Sequence, residues 1–197
     1  MAAEGLLPLA VFTMTSTVTP GGATTMATAS GAHFGYRRTL PLMAGIATGL
    51  GAMTAGAAAG LGAVIMNAPG VQMAMKGVGT AYLLWLAWRI GRNGPPRQTR
   101  MARPVRFLSG LWLTWHNPKG WAIALGAAAS FAGIASDPFV LAATLGAAFG
   151  MSAILSLSLW CMVGLVLGRL LRTDRQWHLL NAGLGILLVL SIVPMWF

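Results

Sequence analysis

The chain has little charge and almost none of it negative: charged residues make up 8% of its 197, and only Glu4, Asp137 and Asp174 are acidic. Three scattered acids cannot supply the paired carboxylates of general acid–base chemistry. The histidines, His33, His116 and His178, lack metal-ligand spacing, so neither a metal nor another cofactor is expected. The single cysteine, Cys161, excludes an internal disulfide, a CxxC redox pair and a thiolate cluster, and reads as a small packing residue in an apolar run. A basic leader is also lacking. The first basic residue is Arg37 and the early charge is Glu4, so the first apolar segment is expected to stay in the protein.

What is abundant is apolar surface. Hydrophobic residues reach 56% and the mean hydropathy is +0.72, values that belong to a chain whose solvent is mostly lipid. The net charge of +10 could suggest nucleic acid, but the basic residues sit in short connections between apolar runs, so nucleic acid is not an expected partner. Runs long enough to cross a core of about 30 Å predict an all-α integral membrane protein with spans near Leu6–Ala32, Leu40–Met66, Val71–Ile90, Phe107–Ser136, Pro138–Gly168 and Trp177–Phe197. Apart from Lys76 and Lys119, every Lys and Arg flanks the first, third or fifth connection. Those connections are expected to be cytoplasmic, which places both termini on the outer side of the membrane.

The third connection, residues 91–106, is rich in Pro and Arg and reads as a basic cytoplasmic linker. It separates two three-span units, residues 1–90 and 107–197. An odd number of spans per unit forces opposite orientations, the arrangement of inverted repeats.

Each unit carries an interruption in its first span: Thr19-Pro20-Gly21-Gly22 and Asn117-Pro118-Lys119-Gly120. Thr and Asn are favoured N-caps, Pro suits the first helical position, and Gly permits close backbone approach, so both tetrapeptides are expected to start helices. At 1.5 Å per residue, Pro20 falls ~21 Å and Pro118 ~14 Å from the outer face, close enough to meet. A new helix start offers unpaired N–H groups and the positive dipole end, and Lys119 adds a full charge, so a carboxylate is the expected ligand. No acid is expected at membrane depth to neutralise a second cationic group. Neutral amino acids therefore fit better than fixed dications, with the ligand ammonium met by carbonyls near Val18 and Thr19. Against this stand plainer readings: a Pro-Gly pair that only kinks its helix, and a Lys119 that fills a wet crevice without touching substrate.

These residues resemble the LysE/RhtB family of bacterial amino-acid exporters. The likeness runs in order along nearly the whole chain, through Thr19-Pro20-Gly21, the turn from Gly31 to Arg38, Gly45 and Gly49, the stretch from Lys76 to Arg89 with Gly79-Thr80-Ala81-Tyr82-Leu83, and Asn117-Pro118-Lys119. Ala81-Tyr82, Trp85-Leu86-Ala87-Trp88 and Ala102-Arg103-Pro104 look closest to the cysteine and O-acetylserine exporter branch. The resemblance implies an inner-membrane exporter of small metabolites driven by the proton-motive force. One position departs from the family pattern: its usual Pro-Gly-Pro reads Pro20-Gly21-Gly22 here, which restores a backbone N–H and flexibility.

Other residues have weaker assignments. Lys76 reads either as a snorkelling interfacial lysine or as a gate. Tyr82, Trp85 and Trp88 share a helix side, which suits packing or an interfacial belt, and Tyr82 is the member expected to reach a cavity. Without a membrane-depth carboxylate, a coupled proton would fall to Lys119, His116, Lys76 or the substrate itself. The partners expected are thus a small-molecule substrate and the lipid bilayer, with a homo-oligomer left open. The competing classes are a membrane enzyme and a structural or assembly subunit without transport activity.

Overall fold

The structure, a computed structural model, describes residues 5–61, 69–92, 106–190 and 192–193. It contains no strand among the described residues. The sequence makes this understandable: long apolar stretches with few charges satisfy their backbone groups internally only as helices. Helix α1 spans Leu6–Val18, α2 Gly22–Phe34 and α3 Tyr36–Gly56. A wider, π-helical turn, Ala57–Leu61, follows α3, and there Gly60 takes a φ of 105° that side chains rarely adopt. Helix α4 spans Pro69–Gly91, α5 Phe107–Trp115, α6 Pro118–Ser130, α7 Pro138–Leu170 and α8 Asp174–Leu190.

Two helical stretches, Tyr36–Gly60 and Pro138–Leu170, are long and apolar enough to cross a membrane, with mean hydropathies of 1.4 and 2.0. At 33 residues α7 is the longest helix and the axis of the packing. Its inner stripe, with Leu145, Phe149, Ala153, Leu157 and Cys161 all buried, contacts α1, α2 and α3. The opposite stripe leaves Met151, Leu155 and Leu159 more than half exposed, as suits a face turned to lipid. Helix α4 packs mainly on α8.

Backbones meet closely where glycine removes the side chain. A Cβ at Gly45 would land on the Phe107 carbonyl, and one at Gly110 would land on the Leu42 carbonyl, so α3 and α5 touch through paired glycines. This contact fixes α5, and with it the second break, against the centre of α3.

Several predicted bounds shift. The first and fourth apolar runs are each divided, into α1 and α2 and into α5 and α6. The second span begins earlier, at Tyr36, because Gly35, with a φ of 80°, turns the chain there and leaves Pro41 inside the helix. The fourth run ends at Ser130, and Asp137 caps α7 by accepting from the N–H groups of Phe139 and Val140 at 2.7 and 3.0 Å. Of the expected linker, residues 93–105 lie outside the described residues, as do 62–68 and 194–197 at the ends of predicted spans.

Candidate functional site

At the second break, Asn117 caps α6. Its Oδ1 accepts from the Lys119 N–H at 3.1 Å, and its carbonyl accepts from the Gly120 N–H at 2.9 Å. Pro118 takes the first helical position, where a missing N–H costs nothing. This is the expected helix start.

The first break is built differently, and the expected N-cap at Thr19 is corrected. Thr19 instead closes α1, its N–H and its hydroxyl both donating to the Thr15 carbonyl at 3.2 and 2.6 Å. Helix α2 starts at Gly22, after Gly21, whose N–H donates to the Thr24 hydroxyl at 2.8 Å while that hydroxyl donates back to the Gly21 carbonyl at 2.9 Å. The physical reason is competition: the Thr19 hydroxyl finds a carbonyl one turn behind it before it can reach an amide ahead.

The two breaks meet. Lys119 Nζ donates to the Thr19 carbonyl at 3.0 Å and to the Pro20 carbonyl at 3.3 Å. Ser156 Oγ donates to the Thr17 carbonyl at 2.7 Å, and Trp160 Nε1 donates to the Val18 carbonyl at 3.0 Å. Successive carbonyls that the end of α1 would leave unpaired are therefore served by side chains of α6 and α7. The negative end of the α1 dipole faces the ammonium, which has no carboxylate partner among the described residues. The carbonyls of Val18 and Thr19, expected to meet a ligand ammonium, each accept from one side chain here, Trp160 and Lys119, which leaves each oxygen a second lone pair.

Ser152 and Ser156, which meet α1 here, lie ~21 and ~27 Å along α7 from Pro138, near the middle of a helix ~50 Å long. The junction thus lies near the middle of the longer of the two helices able to cross a membrane.

A cavity of about 60 Å³ opens beside it. Thr19, Gly21, Gly22, Asn117, Lys119 and Gly120 line it, so six residues singled out from the sequence converge. Pro20 contributes its carbonyl to Lys119. Sequence reading missed Thr17, Thr24, Thr114, Ile46, Leu50 and Leu157, which are also part of the wall. The polar, small-residue composition of α2 was the available signal for Thr24. Nothing in the sequence alone turns Thr114 or Leu157 toward this spot.

The two helix starts are not equivalent. In α6 the first N–H groups are taken by Asn117, whereas among the described hydrogen bonds the amides of Gly22 and Ala23 have no protein acceptor. The α2 start therefore supplies the free donors. Gly21 also lets the lysine in: a Cβ there would stand 3.3 Å from Lys119 Nζ.

His116 does not join the site. Its ring stacks on Trp112 at 3.8 Å, and Nδ1 lies 3.0 Å from the Trp112 carbonyl. His33 lies at the far end of α2, with Nε2 3.4 Å from Asn181 Oδ1 and its ring beside Trp177. The side chains of Lys76, Tyr82 and Pro118 lie outside the described residues. Trp85 and Trp88 are exposed on α4. Among the described residues no group of His, Cys, Asp and Glu could hold a metal.

Interrupted apolar helices meet here at a small cavity with one ammonium group and free helix-start amides, an arrangement that suits a membrane transporter. Residues 14–191 match the model of the LysE type translocator family, and the chain belongs to that family. Among curated proteins, it is 29% identical over 108 residues to the cysteine/O-acetylserine efflux protein of Klebsiella pneumoniae subsp. pneumoniae. That match covers 55% of each chain, so the chain spans about half the length of that relative. It is 26% identical over 195 residues to the cysteine/O-acetylserine efflux protein of Escherichia coli, covering 94% of each. A comparison with solved structures finds no match.

Proposed function

We propose that this protein is a secondary active exporter of a small neutral amino acid or a close derivative, carrying it out across the bacterial inner membrane at the expense of the proton-motive force. The observation that carries this reading is the Lys119 bridge from the second break to the Thr19 and Pro20 carbonyls of the first, beside a shared cavity. The names of the relatives, cysteine/O-acetylserine efflux proteins, favour a substrate of that size and charge.

In this mechanism the substrate carboxylate binds between the amides of Gly22 and Ala23 and the ammonium of Lys119. A carboxylate is a stronger acceptor for an ammonium than a peptide carbonyl, so its arrival draws Lys119 away from Thr19 and Pro20. Releasing that bridge frees the end of α1 to move against α6. Movement is required on volume grounds: a cavity of ~150 Å³ is needed for a molecule the size of benzene. At about 60 Å³ the present cavity must widen to admit even a small amino acid.

The wider architecture we infer is six spans in two inverted three-helix repeats, residues 1–90 and 107–197, joined by the basic linker 91–106, with both termini periplasmic. The test of function is to compare metabolite efflux from cells with and without the protein, scanning neutral, acidic and basic amino acids together. Selective release of one small neutral class supports the reading; identical efflux profiles contradict it.

A further inference from the structure

A second concave feature lies outside the central cavity and has charge at its mouth. Helices α4 and α8 approach closely at Gly185, where an added Cβ would stand 3.0 Å from the Ala87 carbonyl. Beside this contact an outward-facing groove of about 420 Å³ runs between Leu84 and Trp88 on α4 and Ala182, Ile186 and Val189 on α8. Its walls are apolar. From Gly91 to Leu84 it extends ~10 Å along α4, which is within one leaflet of a ~30 Å core.

The arginine-rich end is different. The Arg92 guanidinium lies over the Trp88 ring, 5.0 Å from its centroid, and Arg89 lies over Trp85 at 4.9 Å. Stacking holds these cations at a fixed level beside the groove instead of leaving them to wander in solvent. On α8, Arg175 and His178 precede Ala182 by seven and four positions, so helical register continues the groove-lining stripe toward the same end. Both are exposed.

We propose that this groove binds an anionic phospholipid, with its phosphate on Arg92, Arg175 nearby, and one acyl chain laid between Trp88 and Ile186. Charge and shape together select this occupant. Basic pockets between membrane helices suit anionic head groups, and an apolar groove confined to one leaflet suits a chain entering from that face. A second copy of this protein is disfavoured, because a two-fold contact would bring the same arginine cluster against itself.

The test uses purified full-length protein in neutral detergent, titrated with phosphatidylglycerol or with phosphatidylcholine of the same acyl chains and read by native mass spectrometry. The expected result is one adduct that forms preferentially with phosphatidylglycerol. Arg92→Ala should weaken it about fivefold. Ala182→Trp, which fills the groove and leaves every charge in place, should remove it. Circular dichroism melting confirms that each variant is folded, and Arg92→Lys should keep most of the preference. Equal binding of the two lipids overturns the proposal, as does a phosphatidylglycerol adduct unchanged in both Arg92→Ala and Ala182→Trp. A stable dimer that masks the groove and excludes lipid overturns it too.

Discussion

Lys119 Nζ lies 3.0 Å from the carbonyl oxygen of Thr19, a residue one hundred positions earlier in the chain. One hydrogen bond thus ties the start of α6 to the end of α1, and both halves of the sequence contribute to one site. The lysine that is costly at membrane depth is held by backbone carbonyls that would otherwise lack partners of their own.

Replacing Lys119 should therefore affect both stability and transport. Lys119→Met leaves the exposed Thr19 and Pro20 carbonyls without that donor, at a cost of about 1 kcal/mol, and should abolish export in vesicles. Lys119→Arg keeps a cationic donor and should remain as stable as the parent protein while exporting more slowly. Thermal melting and vesicle export, measured on both variants, separate the two effects.

Gly21 is extended, with φ near −177°, so a side chain there strains no backbone. It would instead press on Lys119, whose Nζ and Cδ lie 3.3 and 3.5 Å from the position of a Cβ. Gly21→Val should leave the melting temperature within a few degrees of the parent and reduce export several-fold. Unchanged export would show that the lysine position is not critical.

Gly22 opens α2, where proline is well tolerated, and the extended Gly21 before it is the conformation that a following proline requires. Gly22→Pro is expected to fold and to gain about 0.4–1 kcal/mol through a stiffer unfolded chain. It removes one of the two free amides, so a weaker apparent affinity for substrate should accompany the gain. A fall in melting temperature would contradict this placement of the helix start.

Asn117 offers a way to separate capping from charge. Asn117→Ala loses the cap on the Lys119 N–H and should cost about 1 kcal/mol. Asn117→Asp keeps an acceptor there and should melt close to the parent. Its carboxylate, however, competes with the substrate for Lys119, so export should fall. Vesicle assays on the two variants, with melting curves, check both statements.

The second break was legible because its residues act locally: Asn117 caps the amide two positions ahead and Pro118 needs only its own φ. The first break was misread for the same kind of reason, since the Thr19 hydroxyl has a carbonyl behind it as well as amides ahead, and the sequence does not say which it takes. That the breaks share a depth followed from counting residues. That the Lys119 ammonium would itself donate to the Thr19 and Pro20 carbonyls did not, because the choice of acceptor depends on how α1, α6 and α7 pack. The roles of Ser156 and Trp160 were hidden for that reason too. His116 seemed well placed by its neighbours in sequence, yet the helical turn between it and Trp112 directs its ring into a stack instead of the cavity.

The central claim is that Lys119 and the start of α2 hold a substrate carboxylate. It is tested most directly by equilibrium binding to the purified protein of the amino acid that the efflux scan identifies, beside its methyl ester. The amino acid should bind at least about tenfold more tightly than the ester, and Lys119→Met should erase the difference. Equal binding of acid and ester by the parent protein, or a preference that survives Lys119→Met, would contradict it.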